Sequence, residues 1–276
     1  MKFIFTSDLH GNTSLYQELK MLIDSSGDID YLFLGGDLFA HTGQLKDQIN
    51  FIDSYLKDFL KEISIKTLFI PGNIDWPGAI HTINKLPDEY DINELDPHGI
   101  TIDKNITIAG YSFVIPGPLH RKDYELRDLK NDTYTPIPDS YITNRKGDKT
   151  YIQKDHFDKN QSIEEELQNI NPQCKILITH SPPLSEYLDL CYANKHIGSK
   201  AIRNKMQKLK PNLSLHGHVH ESPSITGKWY EKIGNTISIN VGSDQNNLHA
   251  VVGEINNNGM ITKLIHTVYG NLPIDI

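Results

Sequence analysis

Apolar runs of four to six residues recur along the chain, each bounded by Gly, Pro or Ser: KFIFT at 2–6, YLFL at 31–34, TLFI at 67–70, KILIT at 175–179 and LSLH at 213–216. Runs of this length and punctuation read as buried strands. They predict strands at 2–6, 31–35, 66–70, 175–179 and 213–216. Between them the apolar spacing changes to the helical period. It predicts helices at about 13–24, 44–62, 77–85, 161–170 and 199–209. In the second of these, Leu45, Ile49, Ile52, Leu56, Phe59 and Leu60 form one core-facing stripe. ITIDKNITIAGYSFV reads as a hairpin turning at Asp103–Asn105. The tail adds three β segments, NTISIN, HAVVGEI and MITKLIHTVY, the last two joined by the turn-forming NNNG. Early β–α alternation followed by a β-rich tail predicts an α/β fold of two packed mixed sheets flanked by helices.

Residues 116–160 break the pattern. They carry Pro116, Pro118, Pro136 and Pro138, many Lys and Asp, four tyrosines and little apolar periodicity. The stretch reads as an irregular insertion within a single domain spanning 1–276. A functional lid and surface elaboration are both open, with surface elaboration favoured.

Each of the five buried runs is followed by side chains able to bind metal: Asp8 and His10, then Asp37, Asn73, His180, and finally His218 and His220. Singly, each has an ordinary reading as a turn former, a capping carboxylate or a surface histidine. Together they are different, because ligands bind outside the carboxyl ends of strands in open α/β sheets. Seven oxygen and nitrogen donors gathered at one sheet edge are too many for one ion and suit two. Carboxylate, amide and imidazole donors without thiolate favour Mn, Fe, Zn, Ni or Co. Two such divalent ions outweigh the charge of Asp8, Asp37 and one hydroxide, leaving a site that attracts phosphate.

Charge and composition narrow the partners. A net charge of −8 disfavours nucleic acid as a partner, since non-specific binding needs a cationic surface. A small phosphate-ester substrate stays open, because bound cations reverse the local field. No apolar stretch approaches bilayer length, so no membrane partner is expected. The first residues already form a strand with two candidate ligands, which speaks against a cleaved signal and for a cytoplasmic location. Cys174 and Cys191 make no disulfide framework and lie in no metal-type spacing.

The motifs Asp8-Leu9-His10, Gly36-Asp37, Gly72-Asn73, His180 and Gly217-His218-Val219-His220 resemble the pattern of the calcineurin-like metallophosphoesterase superfamily. The stretch from His196 to Glu221 resembles a bacterial and archaeal branch of predicted phosphoesterases. The resemblance implies a four-layer sandwich and a dinuclear metal-dependent phosphoesterase. Asp8, His10 and His220 would hold one metal, Asn73, His180 and His218 the other, with Asp37 bridging. Asp37, Asn73 and His180 would thereby serve an attacking, metal-bridging hydroxide. Many members carry a histidine after Gly-Asn, where it assists the leaving group. Here Ile74 occupies that place and cannot donate a proton. The loss predicts a preference for phosphodiesters over alkyl monoesters, because a diester brings less negative charge. Asp75, without its usual imidazole partner, reads as a turn carboxylate.

His196 is a candidate replacement acid, although a solvated loop histidine is its plainer reading. His216 reads as an ordinary strand residue, and Asn240-Val241-Gly242-Ser243 as a strand-end turn. The basic helix face of Lys200, Arg203, Lys205, Lys208 and Lys210 reads as solvated. A nuclease of the same fold and a scaffold that has lost its chemistry are the competing functions. The first lacks an advertised basic groove, and the second should have lost several ligands.

Overall fold

Alternation within single strands sorts the core into layers. In the computed structural model, which describes residues 1–102 and 106–272, strand β1 (Lys2–Thr6) sends Phe3 and Phe5 into one buried cluster and Ile4 into another. Strand β2 (Tyr31–Leu34) divides Phe33 from Leu32 and Leu34 in the same way, and β3 (Lys66–Phe69) divides Leu68 from Phe69. Successive side chains on a strand face opposite ways, so each of these strands is covered on both sides. Burial on both faces is what makes their sequences nearly continuous apolar runs. With β4 (Ile92–Glu94) they pair in parallel, in chain order.

Strands β5 (Ile100–Ile102) and β6 (Ile106–Tyr111) pair antiparallel, as the expected hairpin requires. The turn expected at Asp103–Asn105 lies outside the described residues. A small hairpin follows, β7 (Tyr141–Thr143) with β8 (Lys149–Tyr151). Next come β9 (Cys174–Thr179) and a second small hairpin, β10 (Leu190–Cys191) with β11 (Lys195–His196). The remainder are β12 (Leu213–His216), β13 (Tyr230–Ile233), β14 (Thr236–Asn240), β15 (Ala250–Ile255), β16 (Ile261–His266) and β17 (Gly270–Asn271).

Two large mixed sheets result. One runs β17-β16-β15-β1-β2-β3-β4 and the other β13-β14-β12-β9-β6-β5. Between them lies one core, where Phe3, Phe5, Phe33 and Leu68 share a cluster with Ile176, Ile178, Leu213 and Leu215. Outside the first sheet, Ile4, Leu32 and Phe69 pack with Tyr16, Leu56, Phe59 and Ile80 of the helical segments Thr13–Ser25, Ile52–Leu56, Lys57–Ile63 and Pro77–Ile83. Outside the second, Cys174 and Leu177 pack with Ile163, Ala201, Ile202 and Met206 of helices Ile163–Glu166 and Lys200–Leu209. The fold is therefore mixed α/β, with two mixed sheets flanked by helices, as the sequence predicts.

The long helix expected over 44–62 departs from regularity. It runs α-helical over Leu45–Phe51, π-helical over Ile52–Leu56 and α-helical again over Lys57–Ile63. The wider turn keeps Ile52, Leu56, Phe59 and Leu60 all buried.

Buried charges, not apolar periodicity, fasten residues 116–160 to this frame. The Asp128 carboxylate accepts bonds from Ser199 Oγ, from Lys200 N at 2.8 Å and from Ala201 N at 3.3 Å, capping the helix Lys200–Leu209. Arg127 donates to the carbonyls of Phe157 and Asn160, and Lys122 Nζ lies 2.8 Å from Glu125 Oε2 with both side chains buried. Charges out of water persist only when hydrogen-bonded in this way. No helix among the described residues is long and apolar enough to cross a membrane.

Candidate metal centre

The carboxyl ends of β1, β2 and β3 in one sheet and of β9 and β12 in the other open onto the same rim. The residues leaving those strands take unusual backbone shapes. Asp8 (φ 59°), His10 (46°), Asp37 (52°) and His218 (64°) are all left-handed. Each such conformation in a non-glycine residue costs on the order of 1–2 kcal/mol. The bonds Asp8 N to Gly36 O, His10 N to Asp37 O and Gly11 N to Leu38 O, each 2.9 Å, hold the first two loops together. His218 N donates to Asp8 Oδ2 at 3.0 Å, tying the β12 loop to the β1 loop across the two sheets.

Glycine is required where carboxylates approach the main chain. A Cβ on Gly72 would fall 2.1 Å from Asp37 Oδ1, and one on Gly217 would fall 2.2 Å from Asp8 Oδ2. Only a bare Cα leaves space for the two acids.

The side chains then meet. His220 Nε2 lies 3.0 Å from Asp8 Oδ1 and 3.3 Å from His10 Nε2, and His10 Nε2 lies 4.0 Å from Asp37 Oδ2. Donor atoms of Asp8, His10, Asp37 and His220 all fall within 4.8 Å of one another and could hold a metal ion. On the other side of Asp37, His180 Nε2 lies 3.5 Å from Asp37 Oδ2 and 3.1 Å from Asn73 Oδ1. The His180 and His218 rings are 5.1 Å apart, centre to centre. His180 Nδ1 sits 2.8 Å from the Gly35 carbonyl and donates to it, which turns Nε2 toward Asp37 and Asn73. All seven predicted donors thus converge on one rim.

Charges are strongly coupled there. Burial works to raise the Asp8 carboxyl, but His220, His180 and His10 together hold it well below the usual carboxylate range. Burial likewise opposes Asp37, which His180 and His10 still bring down to about 2. Burial disfavours charge on His180, yet Asp37 and Asp8 push it up to about 9. Burial and the neighbouring His180 hold His218 down to about 3. Two imidazole nitrogens facing each other beside two buried carboxylates, with room kept by glycines, are a donor set suited to cations.

The surrounding residues brace these donors. Asp75 accepts from Gly72 N at 2.9 Å and Phe39 N at 3.2 Å, a turn carboxylate as the sequence predicts, and burial together with the Asp37 charge raises it to about 7. Ile74 is buried, and its N–H donates to Asp37 Oδ1 at 2.8 Å. From the turn after β14, Ser243 Oγ and Gln245 Nε2 donate to the Asp8 carbonyl at 3.3 and 3.1 Å. His216 is buried among Thr179, Ser214 and Ser238, and burial holds it neutral, down to about 3. It is a core residue of its strand. His196 lies on β11 with its side chain 43% exposed, and its Nδ1 is 2.8 Å from the buried Asp189 carboxylate. Its hydrogen-bond partner is that aspartate and none of the seven donors.

One residue behind the rim had no sequence signal. Arg121, from the 116–160 stretch, is buried with its guanidinium 4.7 Å above the Trp76 ring. Its Nη2 donates to the carbonyls of Asn73 and Ile74, while Nη1 is buried with no hydrogen-bond partner among the described residues. A single arginine in a polar stretch leaves no periodic trace.

Comparison with known proteins agrees with this geometry. A family model described as calcineurin-like phosphoesterase matches residues 1–222. Among solved structures, TT1561 of Thermus thermophilus is similar at 14% identity and TM-score 0.59, with 98% of each chain covered. A dimetal phosphatase from Danio rerio is similar at 10% identity and TM-score 0.53, covering 98% of this chain and 96% of that one. GAP50 of Plasmodium, described as an anchor in the inner membrane complex, is similar at 14% identity and TM-score 0.53, covering 98% and 85%. At such identities these likenesses establish the fold. No curated protein matches the chain.

Proposed function

The chain belongs to the calcineurin-like phosphoesterase family and is a metal-dependent phosphoester hydrolase, and from that premise we propose a dinuclear phosphodiesterase acting on a small phosphorylated substrate. One observation carries the dinuclear part. Asp37 Oδ2 lies within 4.0 Å of His10 on one side and 3.5 Å of His180 on the other, where a shared ligand belongs. Asp8, His10 and His220 would hold one cation, and Asn73, His180 and His218 the second. When bound, two divalent cations supply Lewis acidity to the phosphoryl oxygens and an acidified, hydroxide-like water as nucleophile. Manganese is the first metal to test, ahead of Fe, Zn, Ni and Co, and a cytoplasmic setting belongs to the same proposal.

The chain's own residues do the positioning. Gly35 O fixes the tautomer of His180, and the Ile74 N–H steadies the Asp37 carboxylate. The Ile74 side chain offers no proton to a leaving oxygen, a loss that costs ~100- to 10,000-fold for poor leaving groups, and without an imidazole there the smaller negative charge of a diester is favoured over an alkyl monoester. His196 is the proposed substitute acid. Asp189 holds its Nδ1, leaving Nε2 free, and its neighbour Ile197 lines a cleft shared with Asn73 and His218.

The test is a metal-dependent hydrolysis panel of aryl diesters, aryl monoesters and alkyl monoesters, run on wild type and Asp37→Ala with metal content measured. About two cations per chain, diester turnover, and loss of both in Asp37→Ala are expected. Equal metal content and turnover in wild type and variant would remove the bridging role. Faster turnover of alkyl monoesters would remove the diester preference.

A further inference from the structure

A cleft of about 450 Å³ opens beside the metal centre, with Asn73 and His218 on its wall. Its other sides are Val114 and Ile115, just before the 116–160 stretch, Pro116 at its start, and Ile197 and Val219 from the second sheet's loops. The size is that of a small-ligand pocket. Apart from His218, its ionisable wall residues are two acids, Glu125 and Glu221. Glu125 Oε2 is engaged by Gly117 N at 3.0 Å and Lys122 Nζ at 2.8 Å, and Glu221 Oε1 accepts from Tyr192 N at 3.0 Å. Among the described residues no lysine or arginine lines it.

We propose that this cleft receives the alcohol portion of the ester, and that this alcohol is an uncharged, apolar group. The inference rests on the hydrolase reading of the metal centre. It follows from what the walls can solvate. An anionic alcohol, such as one bearing a carboxylate or further phosphates, would leave water for a wall that, away from the metal end, is apolar, holds two glutamates and has no lysine or arginine among the described residues. A buried charge without a partner is strongly disfavoured. An aliphatic or aromatic alcohol loses only apolar hydration, which is favourable. The cleft therefore selects by excluding charge as much as by contact.

The test keeps the leaving group constant. Methyl, hexyl and 5-carboxypentyl diesters of 4-nitrophenyl phosphate are compared on the metal-loaded protein. Binding of hexylphosphonate and 5-carboxypentylphosphonate is measured alongside by calorimetry. For the hexyl member we expect kcat/KM and affinity higher than for the carboxypentyl member by about tenfold or more. Ile197→Arg should narrow that ratio toward one, with unfolding transitions recorded to show that the variant is folded. Equal values for the two chains in wild type, in turnover or in phosphonate binding, overturn the proposal. So does an unchanged ratio in a folded Ile197→Arg protein. Failure of the methyl diester to turn over with every metal strikes the hydrolase reading instead, and the phosphonate comparison still decides the cleft.

Discussion

Truncating Arg121 separates the contribution of residues 116–160 from that of the sheets. In Arg121→Ala, the carbonyls of Asn73 and Ile74 lose a charged donor and Trp76 loses a cation over its ring. Hydrogen bonds to a charged group contribute about 1.5–3 kcal/mol each, and a desolvated cation–π contact adds roughly 0.5–2 kcal/mol. Against this stands the burial cost of the guanidinium, which lowers its pKa and leaves Nη1 with no hydrogen-bond partner among the described residues. The net loss should be about 3–5 kcal/mol, the scale seen when one member of a buried pair is removed. Urea unfolding of chelator-treated protein measures it without a contribution from metal. Metal analysis of the reloaded variant supplies a second readout: the loop carrying Asn73 loosens, so occupancy should fall from about two cations toward one. Arg121→Lys should recover only part, since an ammonium cannot span both carbonyls and also stack on the indole. A loss below about 1 kcal/mol with full occupancy would refute this account of Arg121.

Gly72→Ala should destabilise by about 1–3 kcal/mol and cut metal uptake, because the new methyl group meets Asp37 Oδ1 at 2.1 Å. Differential scanning with and without metal would show both effects, and an unchanged metal-induced shift would contradict them. Chelation should lower the melting temperature of wild type, since cations that bind only the native rim stabilise it by mass action. A melting temperature indifferent to chelator would contradict a native metal site. His266 gives a pH prediction away from the rim. Its Nε2 donates to Val241 O at 2.9 Å while Nδ1 accepts from Val268 N at 3.0 Å, so the neutral ring is fully used. Burial holds its pKa down to about 4 from 6.5. The unfolded chain then takes up the proton first, so stability is complete above pH ~6.5 and falls by about 3 kcal/mol as pH drops toward 4. His266→Gln should flatten that slope in unfolding curves between those pH values, and an unaltered slope would contradict the assignment.

Strands covered on both faces announce themselves in sequence. The runs KFIFT, YLFL and KILIT were legible for that reason, and so were the donors that follow them. The edge strands β4 and β13 were not. INE of β4 and YEKI of β13 are short and partly polar, and each exists because a neighbouring strand offers unpaired backbone groups. The stripe over 44–62 revealed which residues face the core but not the π-helical turn at Ile52–Leu56, which buries the same side chains. Convergence of seven donors was readable from the strand runs, whereas the place of Asp37 between two groups of them came from the family resemblance and not from any periodicity. Arg121, Asp189 and the Gly35 carbonyl were not readable. An isolated polar residue has no period, and a main-chain partner has no letter of its own. The charges of 116–160 read as surface, yet Arg121, Lys122, Glu125, Arg127 and Asp128 are buried, because partners distant in sequence receive Arg121, Arg127 and Asp128 while Lys122 and Glu125 pair with each other.

The pairing of β1 sets the order in which this polypeptide can mature. Lys2–Thr6 lies mid-sheet, with β2 on one side and β15 antiparallel on the other, in register from Lys2 opposite Glu254 to Thr6 opposite Ala250. During synthesis at roughly 5–20 residues per second, the latter edge stays open for on the order of tens of seconds. Until Ala250–Ile255 leave the ribosome, a five-residue apolar strand shows unpaired amides along one edge, an invitation to intermolecular pairing. Such a distant closure also predicts slow refolding, and it makes the nascent chain a natural client for a chaperone that shields β1 while it waits.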